Sequence, residues 1–585
     1  MIVKMKKVHI VVQKKDALSA VEALHDLGVV HVDNAQIPRG ERISQLKEYQ
    51  GTLEKVIGFL SQVDKHHQQQ ELQDWQTTAQ EIFGLVSLIE QYHRATAQRQ
   101  AKIEKWEPWG DFRPLDVEAL RHKGVVIRFA EFPKKEIPEV PDGVILDQVF
   151  VKGGSAGYAV ISREEVELPF RVLGLPDVSL EELRREQATC GKRIKEAERQ
   201  IRESSAYLDS FQKIFSRVDE ELKFQEVYRG KGEEGQLAFL KGFCPVDACH
   251  ALEEAAGKEQ WGLLLEDPSE EEVVPTLLRN PRWVNLIKPV LGMINILPGY
   301  REFDISVVFL LFFSVFFGIL IGDAGYGLIF MFLTAGAQVK LKNKLTDKKP
   351  LFLMYVLSGC TVLWGFLTGT FFGQKWLAGA LPPLWPWLAD ERNFQMLCFL
   401  IGASHLSIAH VWRAVLKMPS FAVLGEAGWL SIVWGMYFVA GKLVLGMPFP
   451  FFAKILLFGG AGLVVFFTKP RRNPLKAVGT GMGALALNAV NTFTDVVSYI
   501  RLFAVGMATV ALADATNTMA LESGFGTFFA GFLSALILIV GHVLNMILGA
   551  MAILVHGLRL NVLEFSSHMN LEWAGIKYKP FKKDT

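Results

Sequence analysis

The chain lacks every common signature of a self-sufficient hydrolase. No Gly-x-x-x-x-Gly-Lys-Ser/Thr loop occurs, so there is no Walker-type phosphate cradle, and neither a His-Glu-x-x-His nor a Gly-x-Ser-x-Gly motif is present. Cysteine is scarce: Cys190, Cys244, Cys249, Cys360 and Cys398 show no metal-ligand spacing and read as scattered buried thiols. His66 and His67, beside three glutamines, read as a solvated helix face rather than a metal site. No lysine-rich run marks a nucleic-acid partner, and a formal net charge of +1 selects none. The first residues lead into a strand-like segment at 8–12 rather than a signal peptide, which keeps the first half in the cytoplasm. These absences exclude hydrolysis by this chain alone and imply no cofactor.

What is present divides at about residue 300, where a charged half gives way to an apolar one. A membrane crossing needs about 20 apolar residues. Eight stretches qualify, at about 304–321, 324–341, 351–373, 394–416, 423–445, 449–468, 476–520 and 524–568. The last two would run roughly 65 Å at about 1.5 Å per residue, so they must tilt, project or break. Lys340, Lys342, Lys344, Lys348 and Lys349 follow the second stretch. Arg413 and Lys417 end the fourth, Lys469, Arg471, Arg472 and Lys476 follow the sixth, and Lys577, Lys579, Lys582 and Lys583 come last. Alternate loops are poor in basic residues, with Lys375, Arg392 and Lys442 the main exceptions. The positive-inside rule therefore predicts an even number of crossings with both termini cytoplasmic.

Within the seventh stretch Asn488, Asn491, Asp495 and Ser498 fall at i, i+3, i+7 and i+10, one helix face, with Arg501 a step further round. In the eighth, His542, Asn545, His556 and Arg559 repeat the pattern, with Gly549 in the gap. An arginine at membrane depth costs roughly 3 kcal/mol on insertion scales, so it faces a protein interior or a water path unless it snorkels to the headgroups. His405 is a candidate channel residue or a satisfied interior histidine. His405 and His410, at i and i+5, do not share a face, and Glu426 is a candidate for an aqueous entrance. Gly479 and Gly483 read as small-residue helix packing.

The charged half reads as α/β lobes at about 1–40, 106–176 and 230–275, joined by a coiled-coil hairpin of about 41–105 with 178–228. Leu180, Leu183, Gln187, Cys190, Ile194, Ala197, Ile201, Ser204, Leu208, Phe211, Phe215, Val218 and Leu222 keep a 3–4 spacing that can be buried only against another helix, and the segment 43–105, which opens with Ile43, Leu46, Gln50, Leu53, Ile57 and Leu60 in the same steps, supplies the mate. Each lobe is expected to be split between sequence before and after the hairpin. The expected fold is thus two-part: α/β lobes on a long antiparallel coiled coil at 1–300, then an all-α domain of eight transmembrane helices at 301–585.

Several separated motifs now resemble one family. They are 267–280 (Asp267-Pro-Ser-Glu to Asn280), 316–327 around Asp323, 495–504 (Asp495 to Arg501-Leu-Phe-Ala), and 556–565 (His556-Gly-Leu-Arg559 to Glu564-Phe), followed by Lys579-Pro-Phe. The chain resembles the stator membrane subunit of rotary V-type and archaeal A-type ATPases, called subunit a or subunit I. The modest length suits the bacterial or archaeal type, in a prokaryotic plasma membrane. The resemblance implies that Arg501 and Arg559 face a ring of rotor proteolipids whose carboxylates carry H⁺ or Na⁺. It places Asn491 and His556 at positions that line half-channels in relatives, and Asn488, Asp495, Ser498, His542, Asn545, Glu564, Glu426 and His405 are further candidates for that lining from their own places in the sequence. It also implies peripheral stalks and a soluble ATPase sector as partners. Leu487, Gly549 and Thr509 depart from residues found in several relatives, and Tyr300 to Ser306 keeps only part of the family's stretch. A self-contained transporter is the competing class; no inverted repeat or matching pair of broken spans supports it. Both guanidiniums turned toward lipid headgroups, or locked in ion pairs within this chain, would overturn the ring reading.

Overall fold

A computed structural model describes residues 1–63, 71–72, 74–134, 140–342, 347–374, 382–468, 474–524 and 526–583. His66, His67, Lys344, Lys375, Lys469, Arg471, Arg472 and the side chain of Lys476 lie outside the described residues. The chain divides into two units, one of residues 9–242, 251–264 and 581–585, the other of 1–8, 243–250 and 265–580.

The chain begins with strands β1 (Met5–Gln13) and β2 (His31–Asp33) around helix α1 (Ala17–Leu27), then the long helices α2 (Glu41–Ser61) and α3 (Trp75–Trp106). Helix α4 (Pro114–His122) and strands β3 (Val126–Pro133), β4 (Val144–Lys152) and β5 (Ser155–Ser162) follow. Next come α5 (Leu180–Ser204), α6 (Leu208–Gly230), β6 (Gly232–Glu234), β7 (Leu237–Pro245), α7 (Cys249–Glu259) and β8 (Gly262–Glu266). Ser179 caps α5 by accepting from the Glu182 amide, as its Ser-x-x-Glu start predicts.

Helix α2 packs along α6 and α3 along α5. The Gln36 amide meets the Gly230 carbonyl at 3.1 Å beside one pair, while Ile103 shares a core with Leu180 and Leu183 in the other, so both pairs run antiparallel. The seam is buried because its 3–4 spacing leaves no other surface to cover it; Phe211 and Leu53 are inaccessible. Strands β2, β7, β1 and β8 form one sheet in that order, drawn from sequence on both sides of the helices. The sheet β3-β5-β4, in contrast, comes wholly from 126–162 between α3 and α5, so it is not split. A short hairpin register suffices for antiparallel neighbours, which need no crossover.

The second unit is mainly helical. Strand β9 (Pro275–Thr276) pairs in parallel with β10 (Ile576–Lys577), tying the last residues of the helical region to its first. Helices α8 (Lys288–Met293), α9 (Ser306–Ile321), α10 (Ala324–Lys340), α11 (Lys349–Thr368), α12 (Glu391–Lys417), α13 (Ala422–Leu445) and α14 (Phe451–Phe467) precede α15 (Pro474–Ser498), α16 (Ile500–Ser523), α17 (Phe528–Ala552) and α18 (Ser566–Met569). Among the described residues, five helical runs are long and apolar enough to cross a membrane: α11, α12, α13, Leu485–Ser523 and Phe528–Met569. Counting α9 and α10 as one span makes six, since a 118° bend separates them. Helix α14 has 17 residues, roughly 25 Å at the α-helical rise, which falls short of a hydrocarbon core of about 30 Å. Eight independent spans are therefore not established; five to six long apolar helices are.

The bend at α9 and α10 has a local cause. Gly322 ends α9 in the left-handed region, and the buried Asp323 carboxylate accepts from the Gly325 amide at 2.8 Å and the Gly373 amide at 3.0 Å. A Cβ on Gly365 would lie 2.1 Å from the Ala324 backbone nitrogen, so α11 meets the start of α10 backbone to backbone. Arg392, an exception to the loop-charge pattern, donates to the Leu445 carbonyl at 2.6 Å and so satisfies the end of α13. Gly479 and Gly483 meet nothing within 4 Å, so the small-residue packing expected there is not made within the described residues.

Cys244 and Cys249 are both buried, and burial pushes the Cys244 thiol up to about 12. The thiol is then fully protonated at neutral pH, where only the thiolate reacts. Maleimide should label Cys244 slowly in the folded protein and rapidly after denaturation; mass spectrometry of the modified peptide checks this.

Candidate functional site

The polar stripe on α15 continues into α16 and meets the run that follows α17. Ala520 and Ser534, Thr509 and Asn545, Ser498 and Glu564, and Asp495 and His568 are hydrogen-bonded pairs, so the two runs lie antiparallel. After α17 the backbone changes pitch, with π-helical turns at Ile553–Gly557 and Leu560–Phe565. On an α-helix, residues five apart stand about 140° round from one another. A π turn bonds i to i+5, which brings them to one side. Arg559 and Glu564 can therefore meet.

Glu564 is the focus of this meeting. It is 4% exposed, and its Oε1 accepts from Ser498 Oγ at 2.9 Å and Arg501 Nη1 at 3.1 Å, with Arg559 Nε at 3.4 Å. Arg501 is 28% and Arg559 51% exposed. Both guanidiniums are thus ion-paired inside this chain, contrary to the expectation of free charges. They share a single carboxylate oxygen, however, so two positive charges face one negative charge and the group keeps a net charge of about +1. Glu564 is the buried carboxylate that the two arginines share. Part-buried His556 lies on the first π turn.

On one side of this group lies a cavity of about 690 Å³, lined by Asn488, Asn491 and Asp495 of the stripe, with His410, Arg413, Lys417 and His568. Asp495 Oδ2 is 3.1 Å from His568 Nε2, His568 Nδ1 is 2.9 Å from His410 Nε2, and His410 Nδ1 is 2.9 Å from Glu426 Oε2. Glu426 also holds Arg413 at 2.9 Å and Lys417. It is buried at the end of this chain of contacts, not open at an entrance.

On the other side His542 Nδ1 meets the Tyr326 hydroxyl at 2.7 Å, and Asn545 donates to that hydroxyl at 2.9 Å and to the Thr509 carbonyl at 2.7 Å. Asn517 Oδ1 lies 3.2 Å from His542 Nε2. Along both runs the arginines stand between the two polar clusters. His405 belongs to neither. It is 0% exposed, stacked between Phe312 and Phe565 and bonded to the Tyr499 hydroxyl at 2.8 Å, which makes it an interior histidine.

His568, Tyr326 and Asn517 were not anticipated, because each partner lies on a distant element. His410, Arg413 and Lys417 did leave a signal: they fall at i, i+3 and i+7 on α12, a stripe hidden by reading the last two as loop charges.

A mixed α/β region followed by long apolar helices, with polar and charged side chains buried among those helices, defines an integral membrane protein. The comparisons then identify its kind. No family model matches the chain. It is 32% identical over 632 aligned positions to the V-type ATP synthase subunit I 1 of Treponema pallidum, covering all of both chains. It is 30% identical over 503 to the V-type ATP synthase subunit I of Borreliella burgdorferi, covering 81% and 82%. Against the A-type ATP synthase subunit I of Pyrococcus abyssi it is 27% identical over 335, about half of each chain. The chain belongs to the V-type/A-type ATP synthase subunit I family. Subunit I is a membrane stator subunit of the complex and is not itself catalytic.

Proposed function

We propose that this chain forms the ion path of its rotary complex against a ring of rotor proteolipids, with the N-terminal region bracing the peripheral stalks and, through them, the soluble ATPase sector. Arg501 and Arg559 face a passing rotor carboxylate, while the Asn488–Asp495 cluster and the Tyr326–His542–Asn545 cluster serve as separate half-channels. The eight apolar stretches each cross a prokaryotic plasma membrane, with both termini cytoplasmic and α9 and α10 as two crossings that meet at the bend. The observation that carries this reading is the unequal pairing at Glu564, which leaves positive charge between the two polar clusters. That charge favours the ionised form of a rotor carboxylate and opposes direct leakage of cations from one cluster to the other.

Purification in mild detergent tests it. A proteolipid ring and nucleotide-binding subunits should co-purify, and the reconstituted assembly should couple ATP turnover to ion uptake. Ion uptake by this chain alone, without a ring, would instead establish the transporter class.

A further inference from the structure

We infer that the groove between the end of α10 and the start of α11 holds one anionic phospholipid. Its phosphodiester lies between Lys342 and Lys348, and an acyl chain runs along the apolar wall below them. The inference rests on the placement of α11 in the membrane and not on the ion path, so either can fail without the other. The groove encloses about 650 Å³, with Val339 and Lys342 on one side and Lys348, Leu351, Phe352 and Tyr355 on the other.

The depth of these residues fits a lipid. Helix α11 has 20 residues, roughly 30 Å at the α-helical rise, which matches a hydrocarbon core of about 30 Å. Lys348, just before its first residue, therefore stands at the level of the headgroups. Tyr355 lies roughly 10 Å further along the axis, at the level of the acyl chains. Its hydroxyl donates to Gln338 Oε1 at 2.8 Å, which ties α10 to α11 across the groove. The Gln338 amide hydrogens are left to meet an ester carbonyl.

Lysines beside a membrane helix often do no more than hold a loop on one side. Two observations set this pair apart. Its charge is uncompensated: no carboxylate lines the groove, and among the described residues neither Lys342 nor Lys348 has an ion pair. Asp347, the acid next to Lys348 in sequence, is engaged elsewhere, accepting from the Lys349 amide at 3.0 Å and the Lys349 ammonium at 3.1 Å. The second observation is that the two ammonium groups open directly onto the exposed apolar side chains of Val339 and Phe352. A lipid satisfies both ends at once, whereas a soluble phosphate meets the lysines and leaves the wall bare. A zwitterionic headgroup carries an ammonium of its own, which the lysines repel, so the headgroup is one of net negative charge.

The test uses the complete complex, stripped of lipid in mild detergent and titrated with phosphatidylglycerol bearing a photoreactive acyl chain. Labelling is scored by mass spectrometry on the α11 peptide. Phosphatidylglycerol should label it in the wild type, unlabelled phosphatidylglycerol should compete, and phosphatidylcholine and inorganic phosphate should not. Replacing both lysines, Lys342→Gln with Lys348→Gln, should raise the half-saturating concentration by roughly 30-fold, about fivefold for each lost charge. Val339→Trp, which keeps both charges and fills the groove, should also lower the labelling. Lys340→Gln, which removes a charge outside the groove, should not. Equal labelling by a phosphatidylcholine probe would show bulk lipid only and overturn the inference, as would displacement by inorganic phosphate. Both of these outcomes are read on the wild type and need no variant. Unchanged labelling in the double lysine variant or in Val339→Trp overturns it as well. None of these readouts involves ion uptake, so a failure of the ion-path reading leaves them standing.

Discussion

Arg501→Lys is expected to assemble into the complex and to abolish ion translocation. A guanidinium stays protonated in a dry site and presents a fork of donors, one of which reaches Glu564 at 3.1 Å, leaving others for a passing carboxylate. Lysine offers a single point of charge, and burial lets it lose its proton. At about 4 Å and an effective dielectric near 20, one arginine–carboxylate pair is worth on the order of 4 kcal/mol. A nearby arginine lowers a carboxylate pKa by roughly 1–3 units. At about 1.4 kcal/mol per unit, losing that shift slows ion release by roughly 10- to 1,000-fold. ATP-driven uptake by reconstituted vesicles, alongside a count of co-purified subunits, measures both halves of this expectation. Uptake at the normal rate by an assembled Arg501→Lys complex would remove the arginine from the mechanism.

Glu564→Gln is expected to have the second largest effect, and on stability as well as transport. The carboxylate is the one anion shared by Arg501 and Arg559, and the amide that replaces it is neutral. Removing one partner of a fully buried ion pair costs about 3–5 kcal/mol. The cost is smaller here because Arg559 is half exposed and water screens part of its charge. Two guanidiniums left with no anion between them should also hold a rotor carboxylate too long, so translocation falls even where assembly survives. Thermal denaturation of the purified complex and uptake by vesicles read the two effects separately. An unchanged melting temperature together with a normal transport rate would show that Glu564 does not organise the arginines.

Several of these features were legible without coordinates. The stripe Asn488, Asn491, Asp495 and Ser498 follows from helical spacing, and its first three members do line one cavity. The seam of α5 and α6 was equally plain, because an apolar row at 3–4 spacing on a charged helix has to be covered. The continuation from His542 to Arg559 was less secure. Counting at 3.6 residues per turn assumes an unbroken α-helix, and the π turns after Ala552 change the phase. The pairing of Glu564 with the arginines was hidden for the same reason, since only the altered pitch turns it toward them.

The sequence by itself determined which stretches are apolar, which faces are polar, where the arginines stand and to which family the motifs point. All of these depend on residues near one another along the chain. Tertiary structure alone decided that Arg501 and Arg559 share one carboxylate, that His405 lies among aromatic rings, and that Asp495 reaches Glu426 through His568 and His410. Arg559 and Glu564 are only five positions apart and meet through the π turn, but Arg501–Glu564, Asp495–His568 and His410–His568 join residues 63, 73 and 158 positions apart. Their formation depends on how the helices pack, which no local spacing encodes.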